Sequence, residues 1–454
     1  MKPGVSEKSV QLKNRALCYA RVTAQVLKSI FTSRNPADRE LRSYFKQHRE
    51  HGSRDRRIIA NCLFAAFRWW GWLKIHPQLS PWERVAEASD DELLKSEQQA
   101  LICLAAQWLD GIDEDIELWP IWAETAGVPV PEPLSAEADL TSKAVQFAEW
   151  LDLSAIPDAR ALVPDWIWDE IQHLALSPEK VISAFNRRPP LWIRCQHEPE
   201  EEVLEELRRH LVTPEASPLP GAYSLGFSHV NLYLLPPFKQ GWFEIQDFAS
   251  QVIGYATGAS PGERWWDACA GAGGKSLQLA WMMRNRGRII ASDIRAYKLK
   301  DLRRRARRGQ FFNIMYKPWE RTRIPVSEKT FDGVLVDAPC SCSGTWRRNP
   351  DARWTSPPDI THKLATVQYD ILTKALKAVK PGGKLVYATC SICRTENEDV
   401  VCRFLRENPA FQLQPVRHPL TGKMEEFIHI YPWDYDCDGS FVVVMQKNSN
   451  DSGA

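Results

Sequence analysis

Apolar residues recur every three to four positions near the start of the chain, with Ile58, Cys62, Leu63, Ala66 and Phe67 on one helical face. This spacing predicts helices over residues 12–32, 38–48 and 55–73. Acidic helices with tryptophans at 108, 119 and 122 are expected over 82–126, interrupted by the proline-rich run 128–133. Further helices are expected over 140–151, 166–174 and 178–186. The pattern then changes. Residues 187–195 read as a basic approach to a strand, 199–212 as a helix and 222–235 as one or two strands. Residues 241–251 are expected to open a helix. Beyond them, short apolar runs ending at Asp267, Asp293, Asp337 and Cys390 alternate with helical stretches. That alternation predicts a parallel, doubly wound α/β sheet, Rossmann-like in class. The expected organisation is a helical part (1–185), a small α/β insert (186–240), the main sheet (241–447) and a disordered tail (448–454).

Composition and charge narrow this picture. At 454 residues the chain is too long for one core, and 44% hydrophobic content with 19 tryptophans excludes general disorder. The opening Met1-Lys-Pro-Gly-Val-Ser-Glu-Lys8 has no apolar core, so no secretory signal is expected. The longest apolar stretches, such as 101–106, are too short for a bilayer, so no membrane partner is expected. Eleven cysteines then predict free thiols in a reducing cytoplasm.

Net charge is only +1, but it is unevenly placed. Residues 1–75 carry 16 Lys/Arg against 5 Asp/Glu, 76–150 carry 3 against 16, and 284–323 carry 14 against 3. Basic blocks separated by an acidic one predict a nucleic-acid face beside a surface that repels it. Ordinary solvated helix faces would explain either basic block alone. The basic helix expected at 301–309 either follows a phosphate backbone or lies on such a solvated face. The cluster Trp69-Trp70-Gly-Trp72 is expected in a helical core, not stacked on bases.

The candidate chemistry starts at Asp267-Ala-Cys-Ala-Gly-Ala-Gly-Gly-Lys275, a strand end, a glycine turn and a helix start. Gly271, Gly273 and Gly274 are expected to allow backbone angles and close approaches that a Cβ would block. The helix N-terminus offers unpaired N–H groups to an anion. The spacing fits neither the phosphate-cradling loop nor the dinucleotide fingerprint. It suits S-adenosylmethionine, with Asp293 placed for the ribose diol. A tight turn without a ligand is the plainer alternative, and the convergence of Asp267, Asp293, Asp337 and Cys390 at strand ends argues against it.

Asp337-Ala-Pro-Cys340-Ser-Cys342 and Thr389-Cys390-Ser-Ile-Cys393 each place a cysteine just past a strand. Buried structural thiols, a four-thiolate zinc site and thiolate catalysis are the three readings. Catalysis explains more. A pyrimidine C5 becomes nucleophilic once a thiolate has added at C6, which needs a cysteine, a group at the ring edge and a base.

These three segments, with Glu396-Asn-Glu398, resemble the Sun-type RNA (cytosine-5) methyltransferases, most closely the bacterial group acting on small-subunit ribosomal RNA. Arg347–Asp351 with Trp354, Asn186–Pro190, Gln246-Asp247 and Ser250-Gln251 extend the likeness over about residues 162–446. Residues 12–75 more loosely resemble the NusB-like helical domain of such enzymes, which implies RNA binding there. The resemblance implies Cys390 as nucleophile, Cys340 in proton removal and product release, and Asp337 at the cytosine edge beside the methyl donor. It implies Asp267, Cys269, Ala270, Gly271, Ala272, Gly273, Gly274, Lys275, Asp293 and Asp337 for S-adenosylmethionine, Lys275 also positioning Asp337, and no metal. Ribosomal RNA is the implied partner and transfer RNA the second choice, with a monomer expected. A non-catalytic RNA-binding or assembly factor on the same scaffold is the rival from another class. Two positions depart from the family: Ala272 replaces a usual proline, and 313–320 lacks the usual acid near adenine, with Lys317 or Trp319 close to that place.

Overall fold

The computed structural model describes residues 5–77, 79, 95–135, 138–227, 230–320 and 323–449. Two compact units result, one of Met1–Arg188 with Trp346–Pro358, the other of Pro189–Thr345 with Asp359–Ala454. The helical pattern expected over 82–94 and the end of the tail, 450–454, lie outside the described residues.

In the first unit, helices Val5–Ser33, Ala37–Gln47 and Ser53–Leu73 match the apolar spacing, followed by Ser96–Asp110 and Trp119–Ala126. Trp69, Trp70 and Trp72 are buried in this core, as their place on an apolar helix face requires. Among the described residues, the basic and acidic blocks are joined in part by ion pairs. Arg54 pairs with Glu117, Arg57 with Glu114, Lys13 with Glu124 and Arg68 with Asp110. Folding brings the two blocks face to face, so part of the basic charge is neutralised within the unit. Exposed pairs of this kind contribute about 0–1 kcal/mol each.

Arg68–Asp110 is different, with the two side chains only 5% and 2% exposed. Arg68 Nε and Nη2 donate to Asp110 at 2.6 and 2.7 Å, and Trp69 Nε1 donates to it at 3.1 Å. Burial pushes the Asp110 carboxyl up, but Arg68, Arg188 and Trp69 outweigh it and hold the group below its usual range. Asp110→Ala, which leaves the Arg68 charge buried and unpaired, is expected to destabilise this unit by about 3–5 kcal/mol in urea unfolding. A loss below about 1 kcal/mol would place the pair among the weak surface bridges. Segment Trp346–Pro358 belongs to this unit through Arg353, whose guanidinium is buried and donates to Asn186 Oδ1 at 2.7 Å and Phe185 O at 2.6 Å.

The second unit begins with a small sheet of β1 (Trp192–Cys195), β2 (Glu215–Ala216), β3 (Ala222–Ser224) and β4 (Phe243–Ile245), ordered β2-β3-β1-β4. Residues 241–251 therefore start as a strand, not a helix. β4 pairs with β1 before helix Phe248–Ala256 begins. The main sheet contains β5 (Arg264–Asp267), β6 (Arg288–Ala291), β7 (Ile314–Tyr316), β8 (Phe331–Asp337) and β9 (Val379–Thr389), all parallel where they pair. β10 (Phe411–Leu413) lies at its edge, β11 (Val416–Arg417) and β12 (Met424–Glu425) form a separate ribbon, and β13 (Phe427–Ile430) and β14 (Ser440–Lys447) add antiparallel pairing. The order is β10-β14-β9-β8-β5-β6-β7. Helices cover both faces, and Trp265 and Trp266 alternate into the two opposite cores. The strand order reverses between β5 and β8, which puts a crevice at their carboxyl ends. No helix among the described residues is long and apolar enough to cross a membrane.

Candidate active site

β5 ends at Asp267, and the chain turns before helix Gly274–Met282. The turn uses left-handed backbone at Gly271 (φ +53°) and Gly273 (φ +91°). A Cβ on Gly273 would lie 2.0 Å from Leu302 Cδ1, so this glycine also permits close packing on helix Ala296–Arg308. Gly274 departs from expectation. It begins the helix without a left-handed φ, and an added Cβ would meet nothing within 4 Å. Its missing side chain leaves open space at the helix N-terminus instead.

That space belongs to a cavity of about 1160 Å³. Asp267, Cys269, Ala270, Gly271, Ala272, Gly274, Lys275, Asp293, Asp337, Cys340 and Cys390 all line it, whereas Gly273 does not. Its wall also includes Ser250, Arg295 and Trp319.

Three acids meet there with different surroundings. Asp267 accepts from Ser276 Oγ at 2.6 Å through Oδ2, while its buried Oδ1 meets no hydrogen-bond partner within normal geometry among the described residues. Burial pushes its pKa up to about 7, against the Ser276 bond. Asp293 accepts from Gly271 N–H at 2.9 Å and from Arg295 N–H and Nε at 2.7 and 3.1 Å. Asp337 accepts from Lys275 Nζ at 2.8 Å, and the same nitrogen donates to Ser250 Oγ at 3.1 Å. Burial raises the Asp337 carboxyl above its ordinary range although Lys275 opposes it. For Lys275, burial favours the neutral form, but Asp337 outweighs it and keeps the ammonium charged.

The parallel register Asp337↔Ala388 places the loops after β8 and β9 side by side. Cys340 and Cys390 Sγ then lie 3.3 Å apart as free thiols, well beyond a disulfide bond. The sulfurs of Cys340, Cys342 and Cys390 lie within 4.8 Å of one another, so one soft ion could bridge these three. The four-thiolate arrangement is not built. Cys393 is buried behind this group, with its sulfur 3.3 Å from Ser343 Oγ. Hydrogen bonds from Cys340 and Cys342 hold the Cys390 thiol well below its usual pKa, with the Lys275 charge adding to the effect. Cys340 is pushed the other way by its bonds to Cys342 and Cys390 and by burial. Gly344 keeps the loops close, since a Cβ there would lie 2.4 Å from Gly439 O and 2.8 Å from Cys390 O.

Of the two residues near the missing acid, Trp319 reaches the cavity wall and packs 5.2 Å from Trp266, while Lys317 is exposed outside it. On the basic helix, Arg305 is turned inward, donating to Ala272 O at 2.7 Å and Glu244 Oε2 at 2.9 Å. Arg308 also bonds Glu244. These two arginines brace the glycine turn and the small sheet, whereas Arg303, Arg304 and Arg307 are exposed. Sequence reasoning assigned no separate role to Ser250 or Arg295. Only the closeness of Arg295 to Asp293 was a readable signal.

A glycine turn after the first parallel strand, an acid after the second and a ligand-sized crevice where the strand order reverses define the S-adenosylmethionine-dependent methyltransferase fold. Residues 256–446 match the family model for 16S rRNA methyltransferase RsmB/F. The ribosomal RNA small subunit methyltransferase B of Enterobacter sp. (strain 638) is 32% identical over 311 residues, 66% of this chain and 70% of that one. The probable ribosomal RNA small subunit methyltransferase B of Bacillus subtilis (strain 168) is 35% identical over 218 residues, 46% of this chain. The chain thus spans about half (49%) of that Bacillus relative's length. Among solved structures, PH0851 superposes with a TM-score of 0.72 at 23% identity, covering 94% of this chain and 99% of its own. NSun6 from Pyrococcus horikoshii with SFG gives a TM-score of 0.56 at 19% identity, covering 63% of this chain and 97% of its own. The chain belongs to the RsmB/F methyltransferase family.

Proposed function

We propose that this protein is an S-adenosylmethionine-dependent RNA cytosine-5 methyltransferase acting on small-subunit ribosomal RNA in the cytoplasm, as a monomer. The observation that carries the reading is the pair of thiols 3.3 Å apart on the wall of the cavity that holds the glycine turn and the Lys275–Asp337 pair. The residues suit the cofactor. Asp267 Oδ1 offers an acceptor to an ammonium group, Gly274 leaves room beside the helix N-terminus, and Asp293 lines the same cavity. Ile294 and Trp319 supply apolar wall where the usual acid is missing.

When bound, the cofactor supplies an electrophilic methyl group. The chain supplies the rest. Cys390 adds as thiolate to cytosine C6, while Asp337 delivers a proton to N3, and the ring electrons move to C5. After C5 is methylated, Cys340 orients the adduct while a solvent water takes the C5 proton, and the C5–H electron pair forms the C5=C6 bond. The C6–S bond then breaks, returning the electron pair to Cys390 and the N3 proton to Asp337. The target base must leave its stack, at about a few kcal/mol, which favours unpaired sites. Exposed arginines of helix Ala296–Arg308 would add phosphate attraction that weakens with salt.

Asp267 gives the cofactor step a pH signature. An ammonium ligand prefers the ionised carboxylate, so affinity for S-adenosylhomocysteine should be full above pH 7. It should fall about tenfold per unit below. Calorimetry between about pH 5.5 and 8.5 checks this, and a flat profile would remove Asp267 from the ammonium site. Bisulfite sequencing of ribosomal RNA from cells lacking the gene, with and without the purified protein, tests the function. Restored 5-methylcytosine at one position is expected. Methylation of transfer RNA alone would move the substrate, and none at all would overturn the reading.

A further inference from the structure

The two cysteine loops share one buried carboxylate. Glu396, in the helical turn Arg394–Glu396, is wholly buried and does not line the cavity. Its Oε1 accepts from Ser341 N–H at 2.8 Å and Gln368 Nε2 at 3.0 Å. Its Oε2 accepts from Ser341 Oγ at 2.5 Å and Ser391 Oγ at 2.6 Å. Ser341 follows Cys340 directly, and Ser391 follows Cys390. One side chain therefore grips the backbone next to one thiol and the side chain next to the other. Gln368 extends the grip, donating also to Pro339 O at 3.0 Å on the other side of Cys340. A buried carboxylate is held only where donors replace its lost water, and here four do so with both loops among them.

We propose that Glu396 is a positioning residue that sets the separation and mutual aim of the Cys340 and Cys390 sulfurs, acting through Ser341 and Ser391. The inference rests on reading those thiols as the reacting pair. Without this clasp the loops after β8 and β9 would still follow their strands and keep the bonds from Gly344 N–H to Cys390 O and from Ile392 N–H to Ser343 Oγ, but the residues directly after the two thiols would lose their common anchor.

Glu396→Gln in the full chain tests it, because the amide keeps the shape and turns one acceptor into a donor facing donors. S-adenosylhomocysteine binding by calorimetry should be unchanged, reporting an intact fold. Diamide, which takes two electrons and two protons from a thiol pair, should form the Cys340–Cys390 disulfide about tenfold more slowly, read by peptide mass spectrometry. For methyl transfer, kcat should fall about 100-fold with KM for RNA unchanged. Crosslinking at the wild-type rate with cofactor binding intact would overturn the proposal. If Glu396→Gln does not bind S-adenosylhomocysteine, Ser391→Ala, which removes one of the four donors, replaces it. Slower crosslinking then supports the clasp and an unchanged rate overturns it. The crosslinking arm uses no RNA, so a wild-type chain that failed to methylate would count against the proposed function and leave the Glu396 result readable.

Discussion

Cys390→Ala is expected to lower methyl transfer below about 10⁻⁴ of the wild-type rate, because it removes the proposed nucleophile itself. Cys340→Ala should behave differently. Addition at C6 and methylation at C5 would proceed, and release would stall, leaving a protein–RNA adduct that survives a denaturing gel. The two sulfurs share a 3.3 Å hydrogen bond, so sulfur–sulfur distance alone cannot assign them. What separates them is that hydrogen bonds from Cys340 and Cys342 favour the thiolate on Cys390, with the Lys275 charge adding to the effect. Cys340, raised by its bonds to the other two thiols and by burial, keeps its proton. Thiolate fraction governs nucleophilicity at neutral pH, and the proposed attacker is therefore the lower of the two thiols. An adduct with Cys390→Ala and none with Cys340→Ala would exchange the assignments. DNA-type enzymes use the Pro-Cys thiol, the place Cys340 occupies here, so the experiment decides between two working chemistries.

Asp337→Asn should cost about 10²–10⁴ in kcat. Cysteine addition places negative charge on N3, and a proton delivered there stabilises it. Asp337 suits this task because burial raises its carboxyl while Lys275, 2.8 Å away, keeps it from becoming permanently neutral. The sign of the pH effect follows. Activity rises with pH as Cys390 ionises, then falls as Asp337 loses the proton it must deliver. Asparagine cannot transfer a proton, so its residual activity should lack that descending limb. Rate profiles for the wild type and Asp337→Asn across about pH 5–10 check this, and a retained descending limb would assign it to another group.

Much of the fold was legible in the sequence. The apolar run Phe331–Asp337 reads as a buried parallel strand and is one, because both its faces are covered by helices. Helices Val5–Ser33, Ala37–Gln47 and Ser53–Leu73 follow from a 3.6-residue period that no neighbouring signal contradicts. β4 was missed for the opposite reason. Phe243–Ile245 is a strand only because β1 is available to pair with it, and three residues carry no period of their own. The antiparallel end of the main sheet was missed likewise. Ser440–Lys447 is strongly β-prone, but its place between β9 and β10 is decided by partners distant in sequence. The acidic and basic blocks could be counted but not paired, since Asp110 meets Arg68 across 42 residues.

By itself the chain's sequence settled which chemical groups are available and at which strand ends they sit, because strand ends and glycine turns follow from local pattern and backbone sterics. Tertiary structure alone decided how closely the two expected cysteines meet, that Cys342 joins the pair while Cys393 stays behind, and that a lysine stands near one sulfur. It also decided that Glu396 lies beneath both loops. Those outcomes depend on the register Asp337↔Ala388 between strands about 50 residues apart, and a one-residue slip there would have turned every side chain to the other face of the sheet.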